Sequence, residues 1–159
     1  MKPLRLYAQL VLATASFAQE GEHLHKHHVD VFLGATLETS TGTLGQNKDN
    51  KSSAFGIEYQ YRINTQWGIG AAFEAIGEDT IREEVYVLPL TYHINHDWSI
   101  YAGPGYEDGG HHGNYLLRVG VAYEYDLGNN FNLEPKFMAD FIEDGRTTWV
   151  AGIAIGYGF

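Results

Sequence analysis

At 159 residues the chain has room for one domain, and its lack of cysteine removes disulfides, zinc–thiolate centres and cysteine nucleophiles together. A formal net charge of -10, from 20 acidic against 10 basic residues, disfavours nucleic-acid binding, which needs clustered Lys and Arg to neutralise phosphate.

Lys2 and Arg5 form a basic start, Leu6 to Phe17 an apolar run broken by Gln9, and Ser16-Phe17-Ala18 a small-x-small site before Gln19. That order is the pattern of a secretory signal over residues 1–18. No later segment is long and apolar enough for a transmembrane helix, so any spanning of a membrane falls to strands. Residues 19–28, Gln-Glu-Gly-Glu-His-Leu-His-Lys-His-His, are polar and aperiodic and read as a mobile arm. The barrel proper is expected over 29–159.

Eight segments alternate with period two. The first, Val29 to Glu38, sets Val29, Val31, Leu33, Ala35 and Leu37 against Asp30, Phe32, Gly34, Thr36 and Glu38. A long polar loop, Thr39 to Ser53, leads to Ala54 to Asn64, where Glu58, Gln60 and Arg62 share one face. Trp67 to Ile76 places Glu74 among glycine and alanine. Val85 to Ile94 carries Thr91 and His93 on its polar face, and Pro89 there marks a bulge or break because it cannot donate to a ladder. Trp98 to Tyr106, Asn114 to Asp126 and Phe131 to Ile142 continue the pattern, the last two with Arg118 and Glu124, then Glu134, Lys136 and Asp140, on the second face. Trp149 to Phe159 closes the chain with Trp, Ala, Ile, Ile, Tyr and Phe at odd positions and only Val, Gly and Ala between.

In each segment the charges keep to one face. Connections alternate between longer charged or Gly-rich loops (Thr39–Ser53, Gly77–Glu84, Glu107–Gly113, Glu143–Thr148) and tight turns near Thr65, His96 and Gly128. Aromatics of the apolar face gather at both strand ends: Trp67, Trp98, Tyr125 and Phe131 at one, Phe55, Tyr86, Tyr106, Tyr115, Phe141 and Trp149 at the other. These features predict an all-β, eight-stranded antiparallel transmembrane β-barrel, an up-and-down meander with an apolar exterior. The same alternation would fit a soluble, lipocalin-type barrel turned inside out, but a glycine-rich, lysine-poor face makes a poor water-facing exterior.

With that pattern in place, the mature chain resembles the small eight-stranded bacterial outer-membrane β-barrels of the OmpA, OmpX and OmpW kind. The resemblance rests on all eight strands, and on a last strand ending in Phe159 with Tyr157 two residues earlier. It implies the outer membrane of a Gram-negative bacterium with a periplasmic N-terminus. It also implies lipid and lipopolysaccharide around the wall, and an assembly machinery that reads the strand ending at Phe159. It says little about activity. Enzymes with a Ser nucleophile and His base occur on this fold. Here, however, His93, Thr91 and Ser99 all fall on the inner face, and no such arrangement faces the membrane, so the expectation is not an enzyme.

Two sites follow as expectations. The inner face collects Asp30, Glu38, Glu58, Arg62, Glu74, His93, Arg118, Glu124, Glu134, Lys136 and Asp140. An eight-stranded interior is just wide enough for its own side chains, so the leading reading is a polar plug of ion pairs around Arg62, Arg118 and Lys136. The other is a conduit for cations or small solutes through a narrow polar lumen, with inner glycines leaving room for water. Second, His23, His25, His27 and His28 place four imidazoles within six positions, a set that chelates Zn²⁺, Cu²⁺ or Ni²⁺ if the arm is free to wrap one ion. The competing reading is a polar spacer. His93 and His96 could complete such a shell, and His111-His112 forms a lesser candidate. The overall expectation is a non-enzymatic envelope barrel, structural or surface-interacting, with the conduit as the alternative.

Overall fold

The computed structural model describes residues 25–39, 50–78, 81–109 and 113–159. The expected signal, most of the arm with His23, and His111-His112 lie outside the described residues. Strands are β1 (His27–Thr39), β2 (Asn50–Arg62), β3 (Trp67–Glu78), β4 (Ile81–Val87), β5 (Leu90–His93), β6 (Trp98–Asp108), β7 (Gly113–Tyr123), β8 (Tyr125–Gly128), β9 (Phe131–Ile142) and β10 (Thr147–Gly158). All pairings are antiparallel, and β10 bonds both β9 and β1, which closes the sheet into an eight-stranded meander barrel.

Ten segments make eight staves because two staves are interrupted. The first break is at Leu88-Pro89, between β4 and β5, where proline was expected to disturb the ladder. Pairing resumes around it, with Gly70 N–H donating to the Pro89 carbonyl at 2.9 Å and Leu88 N–H to Pro104 at 3.0 Å. The second break, at Glu124 between β7 and β8, carries no proline, and its N–H donates instead to the Asp97 carbonyl of the neighbouring turn at 2.6 Å.

β1 begins at His27, so two histidines assigned to the arm belong to the wall. The cause is the chain's other end: His27 N–H donates to the Phe159 carbonyl at 3.1 Å and Phe159 N–H to the His27 carbonyl at 2.8 Å, so the ladder runs out to the last residue.

Which face is inside follows from exposure. Leu33 is 64% and Ile153 51% exposed, whereas Phe32 is 3%, Arg118 2% and Asp140 2%. Away from the barrel's two ends, the charged residues of the strands therefore face the lumen and the exterior is apolar, the opposite of a lipocalin-type barrel. The outer aromatics meet across strands in two belts. At the turn end Trp67 packs on Tyr92 (4.9 Å between ring centroids), Trp98 on Tyr123 (5.1 Å) and Phe131 on Tyr157 (5.0 Å). At the loop end Phe73 meets Tyr86 (5.2 Å), Tyr106 meets Tyr115 (5.6 Å) and Phe137 meets Trp149 (5.6 Å). The Tyr and Trp rings among them, apolar in body and polar at the tip, suit the two levels where hydrocarbon gives way to headgroups.

The tight turns repeat one device. In Asn64-Thr65-Gln66-Trp67 the Asn64 Oδ1 accepts from Gln66 and Trp67 N–H, both at 2.8 Å. In Asn95-His96-Asp97-Trp98 the Asn95 Oδ1 accepts from Asp97 and Trp98 N–H at 2.9 and 2.7 Å. The third turn uses left-handed backbone at Gly128, Asn129 and Asn130, residue types that tolerate it.

At three inner glycines the expected water-filled space is taken by a ring instead. The Phe32 ring covers Gly34 and Gly152, and the Tyr101 ring covers Gly120; a methyl group at any of the three would collide with it. These glycines are pads that let large inner rings lie down across a narrow lumen.

Candidate functional site

From the turn end to the loop end, the lumen is filled in successive levels. At the turn end Arg62 donates to Glu124 Oε2 at 2.7 Å, and Gln60 Nε2 to Thr91 Oγ1 at 2.8 Å. One step further in, the Lys136 ammonium reaches Glu58 (2.9 Å), Asp30 (3.1 Å) and Glu134 (3.3 Å). The middle is held by Arg118. Its Nε and Nη2 fork onto Asp140 at 2.6 and 2.7 Å, while its Nη1 and Nη2 fork onto Glu74, the Nη2 contact at 2.9 Å. Asp140 stands opposite Arg118 in the β7–β9 register, and Glu74 reaches in from β3. Two bidentate clamps on one guanidinium are the strong form of this interaction, and removing it would strand two buried carboxylates.

Around that clamp the lumen is apolar. Phe32, Ile76, Val85, Val87, Leu116, Met138, Ile142 and Val150 form one buried cluster. The polar-plug expectation is thus incomplete: an apolar stretch lies toward the loop end. The signal was in the sequence, since Val85, Val87, Leu116, Ile142 and Val150 all have the parity of the inner face. Beyond it Arg146 ties the loop end together, reaching Glu107 at 2.6 Å, Asp144 at 2.7 Å and Glu38 at 3.2 Å. Partial burial pushes the Asp144 carboxyl up, but the Arg146 N–H and guanidinium outweigh this and hold it below the usual range. Arg146 was assigned only to a loop, and Glu107 to the start of another; β6 in fact runs on through Asp108 and buries Glu107 on the inner face, where Arg146 meets it.

The ten expected lumen residues Asp30, Glu58, Arg62, Glu74, His93, Arg118, Glu124, Glu134, Lys136 and Asp140 all lie on the inner side of the wall. His93 is buried there, and its Nε2 makes no hydrogen bond among the described residues.

Of the expected four-histidine set, His27 and His28, both among the described residues, do not share one shell. His27 points outward, its ring stacked on Phe159 at 5.4 Å and its Nδ1 2.7 Å from the Tyr59 hydroxyl. His28 points inward, with Nε2 3.2 Å from Asp30 Oδ1 and 3.6 Å from Glu134 Oε1. Neighbours on a strand face opposite ways, so these two rings cannot share an ion while β1 is paired. His25 lies at the turn end, where with His28, Arg62, His96, Glu124 and Asn132 it lines a cavity of about 290 Å³.

A closed barrel with an apolar, aromatic-belted exterior and a buried charged interior is a membrane-spanning barrel of the outer-membrane class. The chain belongs to the outer membrane protein beta-barrel domain family, whose model matches residues 7–159. Among solved structures it is similar to the N-terminal β-barrel domain of Pseudomonas aeruginosa OprF, with TM-score 0.65 and 13% identity over 85% of this chain and 98% of that one. It is similar also to OprG of the same organism, with TM-score 0.56 and 14% identity over 84% of this chain and 96% of that one. The attachment invasion locus protein Ail of Yersinia pestis gives TM-score 0.51 and 16% identity over 83% and 99%. At such identities the likeness is one of fold. No curated protein matches the sequence.

Proposed function

We propose that the chain is a non-enzymatic outer-membrane barrel that acts through its surface and external loops, its lumen serving as a structural plug. The observation that carries this reading is the double clamp of Arg118 on Glu74 and Asp140, set in a ring of buried apolar side chains. A solute crossing the lumen would have to break a buried ion pair and pass a dry constriction. Reconstituted in planar bilayers, the protein is expected to give no steady conductance.

One observation favours the alternative. The cavity at the turn end and three carboxylates around one lysine are what a cation entrance would need. Steady cation-selective current, lost in Glu58→Gln, would establish that conduit and remove the plug.

The orientation proposed puts the turns and both ends of β1 and β10 that meet at His27 and Phe159 in the periplasm, with the Arg146 end outside. Its support is the connection between Thr39 and Asn50, longer than any at the opposite end; the charged loop expected over Gly77–Glu84 is mostly strand, since β3 runs to Glu78 and β4 starts at Ile81. Cysteine at Asp144 should react on intact cells with a maleimide that cannot cross membranes, and cysteine at Asp97 only after the envelope is opened. The reverse pattern would invert the barrel. Lipid and lipopolysaccharide are the proposed surroundings of the wall, and recognition of the strand ending at Phe159 the proposed route of assembly.

A further inference from the structure

Next to the turn-end cavity, the inner face of β10 is bare. Gly156 pairs with Asp30 of β1 on one side and with Asn132 of β9 on the other, while Gly158 pairs with His28. A glycine gutter is therefore flanked by His28-x-Asp30 and by Asn132-x-Glu134. The side chains lean over it: a Cβ on Gly156 would collide with Asn132 Oδ1, Asp30 Oδ1 and His28 Nε2. Three buried ligand-bearing residues, His28, Asp30 and Glu134, offer ligand atoms all within 4.8 Å of one another.

We propose that His28, Asp30, Asn132 and Glu134 form a binding site for one divalent transition-metal ion inside the turn end of the lumen. Spacing is the first support. Bonds of about 2.0–2.1 Å around a tetrahedral ion separate ligand atoms by roughly 3.4 Å. His28 Nε2 is 3.2 Å from Asp30 Oδ1 and 3.6 Å from Glu134 Oε1.

Unused bonding capacity is the second. Asp30 and Asn132 are 4% and 3% exposed; Asn132 Oδ1 makes no hydrogen bond among the described residues, and Asp30 Oδ1 has only the His28 ring at 3.2 Å, an ion pair when that ring is protonated. A buried acceptor left open is costly, and a cation is the partner that two oxygens and an imidazole nitrogen would share. Asn132 Nδ2 contacts His28 Nε2 at 2.9 Å and Glu134 Oε1 at 2.7 Å. Turning that amide by half a revolution releases both lone pairs and presents Oδ1 in its place.

Charge is the third. Lys136 takes Asp30 Oδ2 and Glu134 Oε2, the oxygens turned away from His28, and leaves Oδ1 and Oε1 facing it. Three carboxylates, Asp30, Glu58 and Glu134, surround this one ammonium, so two negative charges remain for a doubly charged ion. Access is the fourth, since His28, Asn132 and Gly158 line the cavity at whose rim His25 also stands. The mixed nitrogen and oxygen set suits zinc and its neighbours in the first transition series.

Zinc titration of the full-length folded protein in detergent is the test. One ion per barrel is expected. His28→Gln and Asp30→Asn should each weaken binding by about ten-fold or more, because loss of even an outer-shell partner costs about that much. The double variant His23→Gln/His27→Gln should stay within two-fold of the parent. Gly156→Ala should abolish binding while keeping every ligand, the added methyl filling the gutter. Should these variants fail to fold, X-ray absorption of the zinc-loaded parent decides alone: one imidazole is expected, or two if His25 joins. No bound zinc, a shell of three or more imidazoles, or affinity unchanged in His28→Gln and Asp30→Asn would each overturn the site.

Discussion

Replacing Arg118 with Met is expected to destabilise the folded barrel by about 3–5 kcal/mol, the cost of leaving buried charge without its partner. Arg118 is 2%, Asp140 2% and Glu74 5% exposed, and four hydrogen bonds run from one guanidinium to the two carboxylates. Methionine fills much of the volume but none of the donor capacity. The two carboxylates must then take up protons, recruit water through the apolar ring, or unfold the barrel. The triple variant Arg118→Met/Glu74→Gln/Asp140→Asn should recover a large part of the loss, since neutral amides carry no stranded charge. Equilibrium urea unfolding in lipid vesicles, with the compact unboiled band on a gel as the measure of folded protein, gives both numbers. A single-variant cost below about 1 kcal/mol would mean that solvent reaches the clamp and that the middle of the lumen is wet.

The comparison of sequence with structure is instructive at particular residues. The faces of the strands were legible because a charge on the wrong side of a lipid-facing wall is costly, so parity alone assigns Asp30, Glu58, Glu74, Arg118 and Lys136 to the interior. Pairing inside the lumen was only partly legible. Arg118 and Asp140 share a register row, but Glu74 comes from across the barrel, and the staggering that brings it there is a property of closure that no single strand carries. His28 was misassigned for a different reason. Its segment is polar and aperiodic, and only the ladder between His27 and Phe159, residues at opposite ends of the chain, recruits it into β1. The glycine gutter was visible as a run of small residues at Ala154, Gly156 and Gly158, yet its meaning depends on Asp30 and Asn132 standing on either side, which pairing alone reveals.

Arginine at Ile153 is expected to cost about 2–4 kcal/mol of folding free energy if the residue lies at the hydrocarbon midplane, and arginine near an interface about 0–1 kcal/mol. Ile153 sits near the centre of β10, paired with Leu33 on β1 and Pro135 on β9, so its outer surroundings are wholly apolar. A guanidinium there has no partner on the wall and a long path to water in either direction. Leu90 on β5 and Val119 on β7 should behave alike: both point outward, and both pair with Ala102 of β6. Tyr125 on β8 is the interfacial control; it lies at the turn end beside Gly128 and is 57% exposed. Unfolding in vesicles of defined lipid should therefore give costs that are high for Ile153→Arg, Leu90→Arg and Val119→Arg and small for Tyr125→Arg. Repeating the series in thinner bilayers should lower the first three, because snorkelling to water becomes shorter. A flat profile, with all four variants alike, would mean that the aromatic belts do not mark the two membrane interfaces.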